Sequence, residues 1–324
     1  MNPLLLAFCL MQPPAKAEPL KPLPALPVKE AWRKLPREVP PLPIWARILV
    51  GPQPKTTAGV LALDSLHRAK NPLGNELAAK VRWAVADQMK CGYAQVYAEA
   101  DLERLTTAAE VESLRKGELS GTETLVLKFA RKLTEEGYRI TDAEAAALLA
   151  RLGPDKMTAL VHTVAFANFH DRILIGIGAD IDAEDGGPFP PIDFKYDPRT
   201  PALEDAPKRP AWDAVAAAKP AKDYGAPTEW KDATFEQLET ALAGQKARKP
   251  RIPFPSKERL AALPPDARLR TDTIAWMTVS SGYQPEMTLA WFAAFRSFQQ
   301  EGRTEGVFSS SLFWIVTRSN DCFY

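Results

Sequence analysis

Apolar residues recur at helical spacing along much of this chain, and residues that start or stop helices bound each recurrence. Over 74–89, Leu77, Val81, Ala84 and Val85 fall on one side of a helix while Glu76, Lys80, Arg82 and Asp87 lie elsewhere. Residues 56–69 have the same character, and a third helix is predicted from near Cys91 through Tyr97 to about Leu105. Ser120 and Glu123 have the spacing of a capping box, in which the hydroxyl bonds the third backbone N–H and the carboxylate reaches back to the first. The helix they open carries Leu125, Val126, Phe129 and Leu133 and stops at Gly137. Thr141 and Glu144 form a second box, opening a helix with Leu148, Leu149 and Leu152 that ends at Gly153. Pro154 then suits the first turn of a last helix bearing Met157, Leu160, Val161, Val164, Phe169 and Ile173. No window alternates with the two-residue period of a strand, so the expected fold class is all-α.

Proline divides the chain. Of 30 prolines, 13 lie in residues 1–54 and 12 in residues 186–255, leaving two proline-poor blocks as the folded units. The expected organisation is a signal peptide over 1–17, a proline-rich segment over 18–54, a helical domain over 55–180, a linker over 181–255 and a second unit from 256 to 324. One short helix, Ala233 to Ala243, is expected inside the linker.

The two blocks are copies. At a fixed offset of 231, Trp45 falls on Trp276, Gly51 on Gly282, Gln53 on Gln284, Pro54 on Pro285, Trp83 on Trp314, Val85 on Val316, Cys91 on Cys322 and Tyr93 on Tyr324. Upstream, Pro27, Lys29 and Glu30 are echoed by Pro255, Lys257 and Glu258 at an offset of 228. A period this long means duplicated domains rather than a solenoid. The second copy reaches its end at Tyr324 with no counterpart of the residues that follow Tyr93, which reads as a fragment of a longer chain.

Composition adds limits. A net charge of +1 with both signs interspersed supplies no field that would gather nucleic acid or an anionic membrane. The first residues hold an apolar run from Leu4 to Met11 and the small-x-small triplet Ala15-Lys16-Ala17, the form of a secretory leader cleaved after Ala17. Export to a periplasmic or extracellular space is therefore expected, with no membrane attachment after cleavage; without a working leader the chain would stay cytoplasmic. Of the three cysteines, Cys9 would leave with the leader, and Cys91 and Cys322 belong each to its own copy rather than to one bridge.

The block LSGTETLVLKFARKLTEEGYRITDAEAAALLARLGPDKMTALVHTVAFANFHDRI, joined to the repeated Cys-x-Tyr element, resembles the AhpD-like/carboxymuconolactone decarboxylase superfamily, which includes alkylhydroperoxidase-like and peroxidase-related proteins. The likeness covers about 55–180 as a whole domain and about 275–324 as the front of another. It implies an AhpD-like helical bundle, assembly into homo-oligomers, a small hydroperoxide or lactone-type substrate, and no cofactor or metal. The ending SNDCFY resembles the start of the family's motif, a polar residue, then Cys-x-Tyr-Cys, then a His one turn on.

A cysteine in the first turn of a helix lies against unpaired N–H groups and the positive end of the macrodipole, which favours thiolate. The expected catalytic residue is accordingly Cys322, with Asn320 and Asp321 as capping residues before it. Cys91 is the equivalent in the first copy. There, Ala94 stands where the family has its resolving cysteine and Ala98 where it has the histidine, so Cys91 reads as a small buried apolar residue rather than as a reactive thiol. Ala79 and Ser310 occupy the place of an upstream family Glu. His162 and His170, eight apart on one predicted helix, read as core or surface histidines, with Asp171 pointing elsewhere; Trp83 and Trp314 are expected under the cysteine-bearing turns. Three functions follow as expectations: a thiol-dependent hydroperoxide reductase in the full-length parent, with the first unit inactive; a non-enzymatic scaffold for association; or a cysteine-independent lactone decarboxylase. Whether the chain is an enzyme at all stays open at this point.

Overall fold

In the computed structural model, residues 23–38, 41–119, 121–182, 185–199, 234–247, 250–268, 274–302 and 306–319 are described. The helices in order are α1 (Val28–Arg33), α2 (Ile44–Leu49), α3 (Pro54–Ala69), α4 (Asn75–Met89), α5 (Gly92–Glu103), α6 (Ala108–Lys116), α7 (Gly121–Glu136), α8 (Asp142–Ile177), α9 (Phe235–Ala247), α10 (Lys257–Ala261), α11 (Pro265–Arg268), α12 (Ala275–Tyr283), α13 (Pro285–Glu301) and α14 (Gly306–Ser319). The described residues contain no strand, and the fold is all-α.

Local chemistry explains most of these boundaries. The Thr141 box closes as expected, with the Glu144 N–H donating to Thr141 Oγ1 at 3.2 Å and the Thr141 N–H to the Glu144 carboxylate at 2.7 Å. A box at Thr107 and Glu110, not singled out in the sequence, opens α6 in the same way. Ser120 lies outside the described residues, and Glu123 accepts a hydrogen bond from the Lys80 ammonium at 2.8 Å. The two helices expected on either side of Gly153 are both present; α8 runs through them with a kink at Gly153, which leaves helical geometry with φ 70°. A positive φ suits a glycine, and the kink puts Pro154 in the first turn of the following segment, where a missing N–H costs no intrahelical hydrogen bond. The linker helix lies at Phe235–Ala247 rather than 233–243.

Two apolar clusters organise the first unit. One joins Val81 and Val85 of α4 with Leu102, Leu114, Val126, Phe129, Leu148 and Leu160. The other joins Trp45, Leu61, Tyr93, Tyr97 and Leu174 with Phe189, Ile192 and Phe194. These last three come from proline-rich sequence assigned to the linker. Prolines leave few donors to pair, so the segment can run extended over the helices and insert these three apolar side chains. Its backbone is tied down where Arg68 Nη2 donates to the Phe189 carbonyl at 2.7 Å and the Phe194 N–H donates to Ser65 Oγ at 3.2 Å.

Between the clusters lies a buried ionic hub. Asp101 of α5 accepts from Arg68 Nε at 2.8 Å and Nη2 at 2.9 Å, from Arg82 Nη2 at 2.7 Å and from Arg104 Nη1 at 3.1 Å. Burial alone would raise the Asp101 carboxyl, and the Arg68 hydrogen bond with the Arg82 and Arg68 charges brings it below its usual range. One carboxylate thus binds α3, α4 and α5.

The duplication is visible in space. α10, α12, α13 and α14 repeat α1, α2, α3 and α4 in order, and α13 packs on α3. The approach is close: a Cβ at Gly59 would lie 2.6 Å from Ala294 Cα. Glu301, at the last turn of α13, caps the start of α3, accepting from the Lys55 N–H at 2.8 Å and the Thr56 N–H at 2.7 Å. A carboxylate there complements the helix dipole. Whereas α4 is buried, its repeat α14 exposes Phe308, Leu312, Phe313 and Val316.

Two outcomes are expected in denaturant melts. Asp101→Asn strands the Arg68 and Arg82 charges in the interior and lowers stability by about 3–5 kcal/mol, whereas Arg104→Ala, at the more exposed rim, costs under about 1 kcal/mol. Gly59→Val overpacks the α3–α13 contact and costs about 1–3 kcal/mol, while Gly92→Ala, where an added methyl meets no atom within 4 Å, leaves the midpoint in place; equal effects of the two glycine changes would contradict the packing described.

Candidate functional site

The turn that presents Cys91 is built by the end of α4. Lys90 takes the left-handed conformation at φ 58°, and the Cys91 N–H donates to the Ala86 carbonyl at 2.9 Å. Cys91 is the N-cap of α5, a helix start as expected. Its side chain is buried, in one cluster with Trp45, Tyr93 and Tyr97. Burial pushes the thiol up to about 11; a hydrogen bond with the Ala94 backbone lowers it in part, and the Asp171 charge raises it further. Desolvation therefore outweighs the helix start, and the thiol stays protonated at neutral pH. Ala98 is buried and Ala94 half-buried, so the positions of the family's cysteine and histidine hold only methyl groups. Ala79 is fully buried in α4, and Ser310 is exposed on α14. Cys322, with Asn320, Asp321 and Tyr324, lies outside the described residues, as do Cys9 and the whole leader.

Trp83 does not pack under the cysteine turn. It belongs to the other cluster, donates from Nε1 to Glu99 at 2.8 Å and carries the Arg131 guanidinium 5.6 Å above its ring. Trp314 is about half exposed. Tyr93 and Tyr97, neighbours of Cys91, stack at 4.6 Å and both donate to Asp182 Oδ2 at 2.7 Å, while Asp182 Oδ1 takes the Ile44 N–H at the start of α2.

Beside these tyrosines lies a polar chamber. His67 stacks on Phe166 at 4.4 Å, Phe166 on His170 at 5.5 Å, and Trp45 meets His170 edge-on at 4.9 Å. Burial holds His170 down to about 4, against the Asp64 charge and with help from Arg68 and Arg82; His162, half-buried eight residues earlier on α8, is likewise held down to about 4 by burial. Both are neutral imidazoles at physiological pH. No group of three metal-binding side chains occurs among the described residues.

Asp171, expected to point away from the histidines, lines the same cavity as His170, with Arg68, Arg82 and Tyr97. Burial raises its carboxyl to about 7, although the Arg82 and Arg172 charges pull it down. Asp171 Oδ2, His170 Nε2 and Arg82 Nε have no hydrogen-bond partner. The cavity is small, about 30 Å³. A wider groove of about 630 Å³ runs between α3, residues 193–199 and α13, and its charges alternate in sign. One sequence signal pointed to the chamber: Asp64 and Arg68 stand at i,i+4 on α3, a pair that exposed helices also use. Arg82 and Asp171 gave none, since their burial comes from helices distant in sequence.

The chain matches no family model, no curated protein and no solved structure with which it was compared.

Proposed function

We propose that the chain is a duplicated protein of the AhpD-like/carboxymuconolactone decarboxylase type, in which Cys322 of the second unit reduces hydroperoxides and the first unit has no thiol chemistry of its own. The observation that carries this reading is Cys91 as the N-cap of α5. It makes the Cys-x-Tyr element of the first copy a helix start, where unpaired N–H groups favour thiolate unless burial outweighs them. In the first unit burial does outweigh them, and Ala94 and Ala98 supply neither a second thiol nor an imidazole.

The chemistry at Cys322 is a two-electron oxidation. The thiolate sulfur attacks one peroxide oxygen, the S–O bond forms as the O–O bond breaks, and the departing alkoxide takes up a proton to leave as an alcohol. The resulting sulfenic acid is reduced by two equivalents of an external thiol, giving the free cysteine, a disulfide and water.

A second reading, association without catalysis, is favoured by the packing of α3 on α13, equivalent helices of the two copies. Hydroperoxide consumption by the purified chain, with dithiothreitol as reductant, separates the two. Cys322→Ser is expected to reduce consumption to the uncatalysed background and Cys91→Ser to leave it unchanged. Equal consumption by wild type and Cys322→Ser would exclude the thiol reading and leave the association reading.

A further inference from the structure

Three buried polar atoms without partners belong to residues that line one cavity: Arg82 Nε from α4, and His170 Nε2 and Asp171 Oδ2 from α8. Their residues are 8%, 8% and 2% exposed, so bulk water does not satisfy them. Arg68 lines the same cavity but is committed to Asp101, Asp64 and the Phe189 carbonyl, which makes it part of the wall. Since a single water needs roughly 10–15 Å³, a cavity of about 30 Å³ has room for two waters or one planar group of three heavy atoms.

We propose that this chamber binds the carboxylate of a small acid of formate size, held by Arg82 Nε, the Asp171 carboxyl and His170 Nε2. The donor set decides the class. Arg82 Nε is a fixed cationic donor, and a neutral imidazole offers one N–H. With its carboxyl raised to about 7, Asp171 adds an O–H donor below that pH. Three donors suit a carboxylate, whose two oxygens carry about four acceptor sites. A cation would meet Arg82 at close range. Charge is balanced beforehand, because Asp64 and Asp101 offset Arg68 and Arg82. Bound carboxylate therefore meets no net negative field while Asp171 is neutral.

Asp171 then sets the pH dependence. The groups around it are Asp64 and Arg68 on α3, Arg82 on α4, Tyr93 and Tyr97 on α5, Cys91 at the α5 start, and His170 and Arg172 on α8. Of these, Arg82 and Arg172 favour its ionised form, the Cys91 thiol is itself held neutral, and His170 does not titrate near pH 7. Ionisation of Asp171 removes a donor and sets a second negative charge beside the ligand. Affinity is flat below about pH 7 and weakens about tenfold per unit above it, as one proton is linked to binding.

Titration calorimetry of the full chain with sodium formate, against sodium chloride at matched ionic strength, tests the proposal at pH 6 and pH 8.5. Saturable binding at pH 6, weakened more than about tenfold at pH 8.5, is the expected result. Asp171→Asn keeps an N–H donor and cannot ionise, so its affinity is expected to be the same at both values. Cys322→Ser should bind as wild type does, because the site is independent of thiol chemistry, and this keeps its fate distinct from that of the peroxidase reading. Absence of saturable binding by folded wild type at pH 6, which would leave the chamber holding water only, overturns the proposal. So does a wild-type affinity that ignores pH, an outcome that stands even if Asp171→Asn does not fold.

Discussion

The arrangement of the first unit depends on the charge of Asp101. A carboxylate taken out of water is tolerated only when its lone pairs are filled by donors of good geometry, and here three arginines from α3, α4 and α5 fill them. Because Arg68 also reaches the Phe189 carbonyl, the same contact fixes the extended segment laid over the helices. Helix packing between apolar faces tolerates sliding, since one leucine can replace another in a groove. The two-oxygen, three-arginine geometry does not. The hub therefore contributes register more than net stability, and it fixes α5, which carries the Cys91 turn at its start and lines the polar chamber with Tyr93 and Tyr97.

The second constraint is the meeting of the two copies. Equivalent helices α3 and α13 pair through a glycine, and the absence of a side chain at Gly59 lets the backbones approach. Glu301 then supplies from one copy the cap that the other's helix lacks, since Gln53 makes no side-chain bond at the start of α3. The exchange is not mutual: the residue equivalent to Glu301 at the end of α3 is Lys70, which pairs with Asp193 of the extended segment. The copies have thus diverged into unlike partners, one giving the cap and the other receiving it.

How much of this was legible in the sequence follows from the range of the interactions. Helices α3, α4, α5, α7 and α8 were readable because their signals, spacing of Leu and Val, the Thr141 box and Gly153, act within one or two turns. The Thr107 box is equally local, but α6 buries only Val111 and Leu114, too few apolar positions to mark a helix by spacing. The inward packing of Phe189, Ile192 and Phe194 was hidden by the prolines around them, which mark turns and linkers as readily as an extended cover. Asp171 was misplaced for a geometric reason: one residue from His170 on a helix means about 100° of rotation, but a cavity bounded by α3, α4 and α5 wraps far enough around α8 to receive both.

The chamber and the cysteine turn share a neighbourhood, and their electrostatics make opposite demands. A folded His170 with a depressed value contributes least as pH falls from its unfolded value near 6.5 toward 4, where the unfolded chain binds the proton first. Asp171, raised to about 7, contributes stability that is complete below its unfolded value near 4 and is lost as pH rises through 7. Neither group is optimised for the fold at neutral pH: beside Arg82, His170 is neutral there and Asp171 is passing between its neutral and ionised forms. A thiolate at Cys91 would add a negative charge near Asp171 and be desolvated by the same apolar walls, which is why the helix start there fails to activate it. Burial of a carboxyl and an imidazole around a guanidinium whose Nε–H lacks a partner is costly as mere packing, because apolar residues of similar volume would fill the space without stranded donors. That cost is the physical reason to assign the chamber, rather than Cys91, whatever chemistry the first unit retains.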